Sequence, residues 1–407
     1  MTITFADVER AARLLDGAVL RTPLLPSEEI SRLCGCQILL KLENLQVSGS
    51  FKARGALVRM LALDPARRRA GVVAMSAGNH AQGVAYHAKR MGIPAVIVMP
   101  KATPLTKIER TRRLGASVVL EGETLAEAEK VAHDLASKSG FTFIHPYDDA
   151  DVIAGQGTVA IEMLEGDAGF DCLVVPVGGG GLIAGMAVAV KSMNPEIEII
   201  GVQCESYPSM LLALRGKPAE CRGYTIAEGI AVKAPGRLTV PIVKSHVADI
   251  LTVGETALER AVQTLMEAGK VVAEGAGAAA LAAVLAHPRR FRGKRVGVVV
   301  SGGNVDARLL ASILMRSLCY AGRLARLRIQ VSDVPGMLAR AATIIGDAGG
   351  NIIEIYHQRL FADVPVKFAD VDVVVETTSL THVTHIVESL RTAGLPTRVL
   401  SSSADGD

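Results

Sequence analysis

The stretch SGSFKARG, Ser48 to Gly55, sets one lysine, Lys52, among small residues just where a helix is predicted to begin. An amine becomes a nucleophile only after losing its proton, and a helix N-terminus with Arg54 close by lowers the affinity of Lys52 for one. Four consecutive glycines, Gly178, Gly179, Gly180 and Gly181, follow the apolar run CLVVPV and open the helical run LIAGMAVAV. Residues without a Cβ let successive backbone N–H groups converge on one anion, and the helix dipole adds positive potential there. A phosphate seat is the natural inference. Neither GK[ST] nor GxGxxG with a distal acid accompanies it, so it is not a Walker loop or a dinucleotide fingerprint. Two further stretches, SAGNHAQ at Ser76 to Gln82 and SGGNVD at Ser301 to Asp306, also lie between a buried strand and a helix. Open α/β sheets bind ligands at that end of their strands, although Asn or Ser as a helix cap is the ordinary reading of either stretch alone.

The elements that must carry these residues are legible as an alternation. GVVAM precedes HAQGVAYHAKRM, AVIVM precedes PLTKIERTRRL, and CLVVPV precedes LIAGMAVAVKSM. Continuous apolar runs of that length suit strands buried on both faces, so parallel sheets covered by helices are implied and the class is α/β. The grammar changes near Tyr320. From there the chain reads strand, helix, strand, strand, helix, strand, with a stop at Gly349 and Gly350 after the first of those helices, which fits a small split βαβ unit of the ferredoxin type. A chain of 407 residues exceeds one ordinary core, and three structural units are expected. The tail SSSADGD is expected to be disordered.

Composition narrows the partners. The net charge of +3 comes from acids and bases scattered along the chain, which argues against nucleic acid and membrane surfaces. The opening MTITFADVERAARLLDG reads as a short amphipathic helix, without the basic-then-apolar layout of a secretory signal, and no apolar run approaches a bilayer span. Six dispersed cysteines, of which only Cys34 and Cys36 lie close, suggest reduced structural thiols in a cytoplasmic protein. The nine histidines lack HExxH or other ligand spacing, so no metal site is expected. Met186, Met193 and Met210 read as packing.

Taken together, SGSFKARGA with Phe51 and Lys52, SAGNHAQG, the tetraglycine and SGGN resemble the four cofactor motifs of fold-type II pyridoxal-phosphate enzymes, in that family's order. The resemblance runs to about residue 318 and is strongest to the threonine/serine ammonia-lyase branch, through TPL at Thr22 to Leu24, HPYDD at His145 to Asp149 and AEGIAVK at Ala227 to Lys233. It implies two open, mostly parallel twisted sheets covered by helices. Residues 1–45 and 147–318 would form a large cofactor-binding domain and residues 46–146 a small subdomain. It further implies that Lys52 carries pyridoxal 5'-phosphate as a Schiff base, that Asn79 bonds the ring hydroxyl, that Gly178 to Gly181 bind the phosphate and that Ser301 faces the pyridine nitrogen. Donors around Ser76, Asn79 and His80 would hold the substrate carboxylate. Glu274, in AEGAGAAALAA, is similar to a family position near the cofactor and reads equally as a helix-start glutamate favoured by the dipole.

The implied reaction is β-elimination of water from L-threonine, and also from L-serine, leaving a 2-oxo acid and ammonia. Serine racemase shares the scaffold, but that family's second acid–base group is a serine at the position of Ala77, and its cation site lacks an acid at Leu211. A 3-hydroxyaspartate ammonia-lyase and, in a different class, a non-catalytic amino-acid sensor are the remaining alternatives. Residues 324–402 resemble an ACT domain, with DVPGML at Asp333 to Leu338 matching the turn into its first helix. That implies pairing between subunits of a homo-oligomer, dimer or tetramer, and allosteric control by an amino acid or a nucleotide, with Gly349 to Ile352 as the loop where an effector carboxylate could dock.

Overall fold

The computed structural model describes residues 3–166, 169–358 and 365–400. The expected disordered tail, Ser401 to Asp407, and with it the last two residues of the 324–402 segment, lie outside the described residues. The chain divides into two compact units, residues 1–305 and 306–407.

The first unit holds two sheets. One has six strands in the order Leu24–Pro26, Gln37–Leu42, Arg295–Val300, Cys172–Pro176, Glu198–Cys204 and Asp249–Val253. Every pairing in it is parallel except the first, where the short Leu24–Pro26 strand runs antiparallel along the edge. The other sheet is wholly parallel, in the order Ser117–Leu120, Ala95–Met99, Val72–Met75 and Thr142–Phe143. Strands such as Cys172–Pro176 and Val72–Met75 lack polar alternation because helices cover both faces, leaving water no side to reach.

Two helices bring the glycine loop into place. Ala150–Gly166 and Gly181–Met193 are buried over most of their surfaces, so both read as apolar all round. They cross backbone to backbone: a Cβ on Gly185 would fall 2.1 Å from the Ile153 carbonyl oxygen, and one on Gly157 would fall 2.6 Å from that of Gly185. Helix Lys52–Leu61 packs between Ala150–Gly166 and Asn79–Met91. Its first turn lies so close to the latter that a Cβ on Gly83 would touch the Lys52 carbonyl at 3.2 Å.

The second unit has the order helix, strand, helix, strand, strand, helix, strand. Helix Ala307–Tyr320 leads into a four-stranded antiparallel sheet ordered Asn351–Gln358, Phe368–Glu376, Leu324–Ser332 and Thr397–Val399, with helices Met337–Asp347 and Leu380–Thr392. The predicted βαββαβ pattern is therefore realised, and helix Met337–Asp347 stops just before Gly349, whose φ is +85°. Leu327, Ile329, Val371, Val373, Ile345 and Ile386 build its core. All six cysteines are free thiols, and among the described residues no helix is long and apolar enough to cross a membrane.

Candidate active site

Lys52 is the first residue of its helix and its side chain turns inward, where Nζ donates to the Pro146 carbonyl at 2.6 Å. Burial brings its pKa down from 10.5 to about 8. Arg54 plays no part in that, contrary to the expectation from sequence. Its guanidinium points into a buried cluster, bonded to Glu43 at 2.7 and 2.8 Å and to Glu162 at 2.5 and 2.9 Å, while Lys41 also pairs with Glu162 at 2.5 Å. Two carboxylates neutralise the Arg54 charge before it can act on Lys52. Withdrawal from water lowers the proton affinity of Lys52, as it does for any buried amine.

The residues on either side of Pro146 link the lysine to the glycines. His145 Nδ1 accepts from the N–H groups of Tyr147 at 3.2 Å and Asp148 at 2.7 Å, closing a turn. Burial pushes His145 down to about 4, and the facing carboxylates of Asp148 and Asp149 only partly oppose that, so it stays a neutral acceptor at physiological pH. The Tyr147 ring lies against Gly179, where a Cβ would sit 2.3 Å from it. Lys52 and the tetraglycine thus meet neighbouring residues of one short segment, Lys52 on Pro146 and Gly179 and Gly181 on Tyr147.

Gly180 takes φ +97°, a left-handed value that favours glycine, and Gly181 begins the helix. Gly179 turns its carbonyl away, to Thr239 Oγ1 at 2.7 Å and Gly236 N at 3.0 Å. The loop's own N–H groups are left at the positive end of the helix, where an N-terminus lacks internal acceptors.

Backbone bonds stitch the lysine loop to the SGGN loop. Phe51 N donates to the Ser301 carbonyl at 3.2 Å, Gly303 N to that of Gly49 at 2.9 Å, and Ser50 and Gly302 form a bridge. Ser301 is buried, with Oγ 3.4 Å from the Ala276 carbonyl. From the third junction, Asn79 opens helix Asn79–Met91 and its amide is fixed on both sides. Asn304 Nδ2 donates to Asn79 Oδ1 at 2.8 Å, and Asn79 Nδ2 donates to Glu274 Oε1 at 2.5 Å.

His80 is committed elsewhere. Its Nε2 lies 2.8 Å from the Ile144 carbonyl, and burial followed by the charge of Lys52 pushes it down to about 3. Only its backbone N–H, in the first helical turn, remains for a ligand. Ser76 Oγ accepts from Gly78 N at 3.1 Å and shapes the turn before that helix. Phe51 places its ring 5.2 Å from Lys52 Nζ.

Sequence reasoning left Glu274 undecided between two roles and gave Asn304 and Pro146, although they lie within the SGGN and HPYDD motifs, no role of their own. The first two partner residues far away along the chain, and the third acts through its backbone, so their parts in the site emerge only on folding. Whether these residues suit a pyridine phosphate can be tested on the polar atoms they leave over. The hydroxyls of Ser48 and Ser50 are buried without a hydrogen-bond partner beside Lys52, a desolvated amine stands ready for a carbonyl carbon, and the glycine turn offers N–H groups to an anion. Unpaired buried hydroxyls are costly unless a ligand or water meets them. The residues fit the group.

Comparison with known proteins agrees with that geometry. Residues 15–302 match the family described as pyridoxal-phosphate dependent enzyme, and residues 325–392 match the ACT domain. The L-threonine ammonia-lyase of Thermotoga maritima is 45% identical over 400 residues, covering 98% of this chain and 100% of that protein. Among solved structures, the processed form of threonine deaminase isoform 2 from Solanum lycopersicum superposes with a TM-score of 0.71 at 33% identity, covering 76% of this chain and 86% of that one. Serine racemase from Dictyostelium discoideum gives a TM-score of 0.70 at 34% identity, covering 75% and 100%.

Proposed function

Because the chain belongs to the pyridoxal-phosphate dependent enzyme family, we propose that it is a threonine ammonia-lyase, converting L-threonine to 2-oxobutanoate and ammonia, and L-serine to pyruvate as a further activity. The observation that carries this reading is that Lys52 and the glycine turn are held against adjacent residues, Lys52 against Pro146 and the glycines against Tyr147.

Pyridoxal phosphate, when bound, supplies an electron-withdrawing ring that makes an amino acid's α-proton removable. This chain's residues do the rest. Lys52 would hold the cofactor, and its amine, when free beside bound substrate, would take the α-proton, a role for which burial prepares it by lowering its pKa to about 8. The N–H groups of Gly178 to Gly181 hold the phosphate. The Asn79 amide has a second N–H to offer the ring hydroxyl. Ser301, a neutral residue, would face the pyridine nitrogen and supply no carboxylate to hold a proton there, which would disfavour transamination. The Ser76 backbone N–H is spent on the Val98 carbonyl, so the Ser76 hydroxyl and the backbone N–H groups of Asn79 and His80 would hold the substrate carboxylate at a helix N-terminus. The α-proton and the β-hydroxyl together leave as one water, and the enamine that remains is hydrolysed by another water to the 2-oxo acid and ammonia.

Racemisation needs a second proton carrier, and the methyl group of Ala77 cannot serve. The second unit we assign to allosteric control by an amino acid or nucleotide in a cytoplasmic homo-oligomer. The decisive experiment is a visible spectrum with a turnover assay. The purified protein should be yellow and release 2-oxobutanoate from threonine, and Lys52→Ala should lose both the band and the activity. An unaltered Lys52→Ala spectrum refutes the assignment.

A further inference from the structure

We propose that Glu274 is a positioning residue that fixes the Asn79 amide and takes up a proton from solvent when the anionic cofactor enters the cleft; the inference rests on the reading that pyridoxal phosphate binds there. The positioning half follows from hydrogen-bond polarity. Asn304 Nδ2 can only donate, and it donates to both the Ser48 carbonyl and Asn79 Oδ1 at 2.8 Å. The Asn79 Nδ2 side must therefore face Glu274, whose Oε1 stands 2.5 Å away as the acceptor that prevents the amide from flipping. Gly302 packs against the same oxygen, since a Cβ there would lie 2.4 Å from Glu274 Oε1.

The proton half follows from charge. Among the described residues no cation pairs with Glu274. Lys107, the basic group facing it from helix Leu105–Arg113, is bonded to Glu228 on the turn Glu228–Ile230, so a second carboxylate faces Glu274 from that side. Asn79 and Asn304 are neutral. Besides the Asn79 bond, the anion is stabilised by the N-terminus of helix Gly275–Ala286, of which Glu274 is the cap, and weakly by the charge of Lys107, which its bond to Glu228 offsets. Burial pushes the carboxyl up to about 7, with the Asn79 bond opposing and Glu228 adding to the rise. A phosphate and a ring oxygen arriving in the same cleft add negative potential, so the carboxylate binds a proton from solvent. Protonated Glu274 still accepts from Asn79 through its carbonyl oxygen, so the charge is lost and the orientation kept.

The test is to titrate pyridoxal phosphate into the weakly buffered apoprotein near neutral pH with an indicator dye, for wild type and Glu274→Gln. Glutamine keeps an acceptor for Asn79 and cannot titrate, while Lys52 and the cofactor's own groups contribute alike to both proteins. Wild type should take up more protons, and its cofactor affinity should weaken about fivefold more than the variant's between about pH 6 and pH 8, as a one-step rise in pKa on binding requires. Equal uptake and parallel affinity curves overturn the proposal. Should Glu274→Gln not fold, Glu274→Asp decides. Its carboxyl is drawn back from Asn79, so the midpoint of the affinity curve should move, and an unmoved midpoint counts against Glu274. A wild-type protein that binds no cofactor at all would instead sink the underlying reading.

Discussion

At the scale of single residues, burial and pairing decide which charged groups can act. Lys52 and Arg54 are two positions apart and meet opposite fates, the one unpaired by any carboxylate and lowered toward neutrality, the other locked between Glu43 and Glu162. Lys52 also carries a stability cost with a definite sign. A base whose folded pKa is depressed destabilises the fold fully below that value, because only the folded state strains to keep the charge, and the cost disappears once both states are neutral. In the apoprotein Lys52→Met should therefore raise stability by no more than about 3 kcal/mol below pH 8, with the gain fading toward pH 10.5. Urea melts at several pH values measure it, and a pH-independent difference would contradict the desolvated amine. Arg54→Met should act the other way. Leaving Glu43 without its ion-pair partner, and Glu162 with Lys41 alone, in a dry interior costs about 3–5 kcal/mol, and a near-neutral melt would show that the cluster is not essential. None of this was visible in SGSFKARG, since Glu43 and Glu162 lie 11 and 108 residues from Arg54 and only folding joins them.

At the scale of elements, the site is as good as the placement of four chain turns, and that placement rests on close backbone contacts. The strands and helices themselves were legible because a strand buried on both faces must be apolar throughout, as Val72–Met75 and Cys172–Pro176 are. The antiparallel edge strand Leu24–Pro26 was not, being three residues long with two of them exposed, too short for any period to register. Nor does sequence disclose that Gly157 and Gly185 let two helices touch, for a glycine in an apolar helix looks like any other small residue. Gly185→Ala would drive a methyl into the Ile153 carbonyl and should cost about 1–3 kcal/mol or more, since backbone cannot yield as a side-chain tip can. Gly179→Ala tests the phosphate cradle with a different readout. Its methyl would displace the Tyr147 ring, and cofactor affinity should fall on the order of tenfold or more while thermal stability of the apoprotein changes little. Retained affinity would place the phosphate elsewhere.

At the scale of the whole molecule, the two units answer to different physics. The first buries a charged constellation under parallel sheets; the second is an antiparallel sheet with helices, whose edge strand Asn351–Gln358 leaves Ile353, Ile355 and Tyr356 exposed. The turn at Gly349 and the βαββαβ order were readable from the sequence because an alternating strand and a Gly-Gly stop are local signals, whereas the ligand of such a unit is not, since a few methylenes in a pocket distinguish one amino acid from another. Regulation therefore has to be tested by linkage. If isoleucine binds the second unit and favours one of two states of the enzyme, threonine affinity must change by some factor, and threonine must change isoleucine affinity by that same factor, because the coupling free energy is shared. Calorimetric titration of isoleucine with and without a non-reacting threonine analogue, beside turnover at several isoleucine concentrations, measures both sides. A coupling of about 1–3 kcal/mol, fivefold or more in each affinity, is the expected size for such control. Isoleucine that neither binds nor alters turnover removes it as the effector, and an isoleucine affinity that weakens in proportion to the analogue concentration without levelling off would mean that it competes at the substrate site instead.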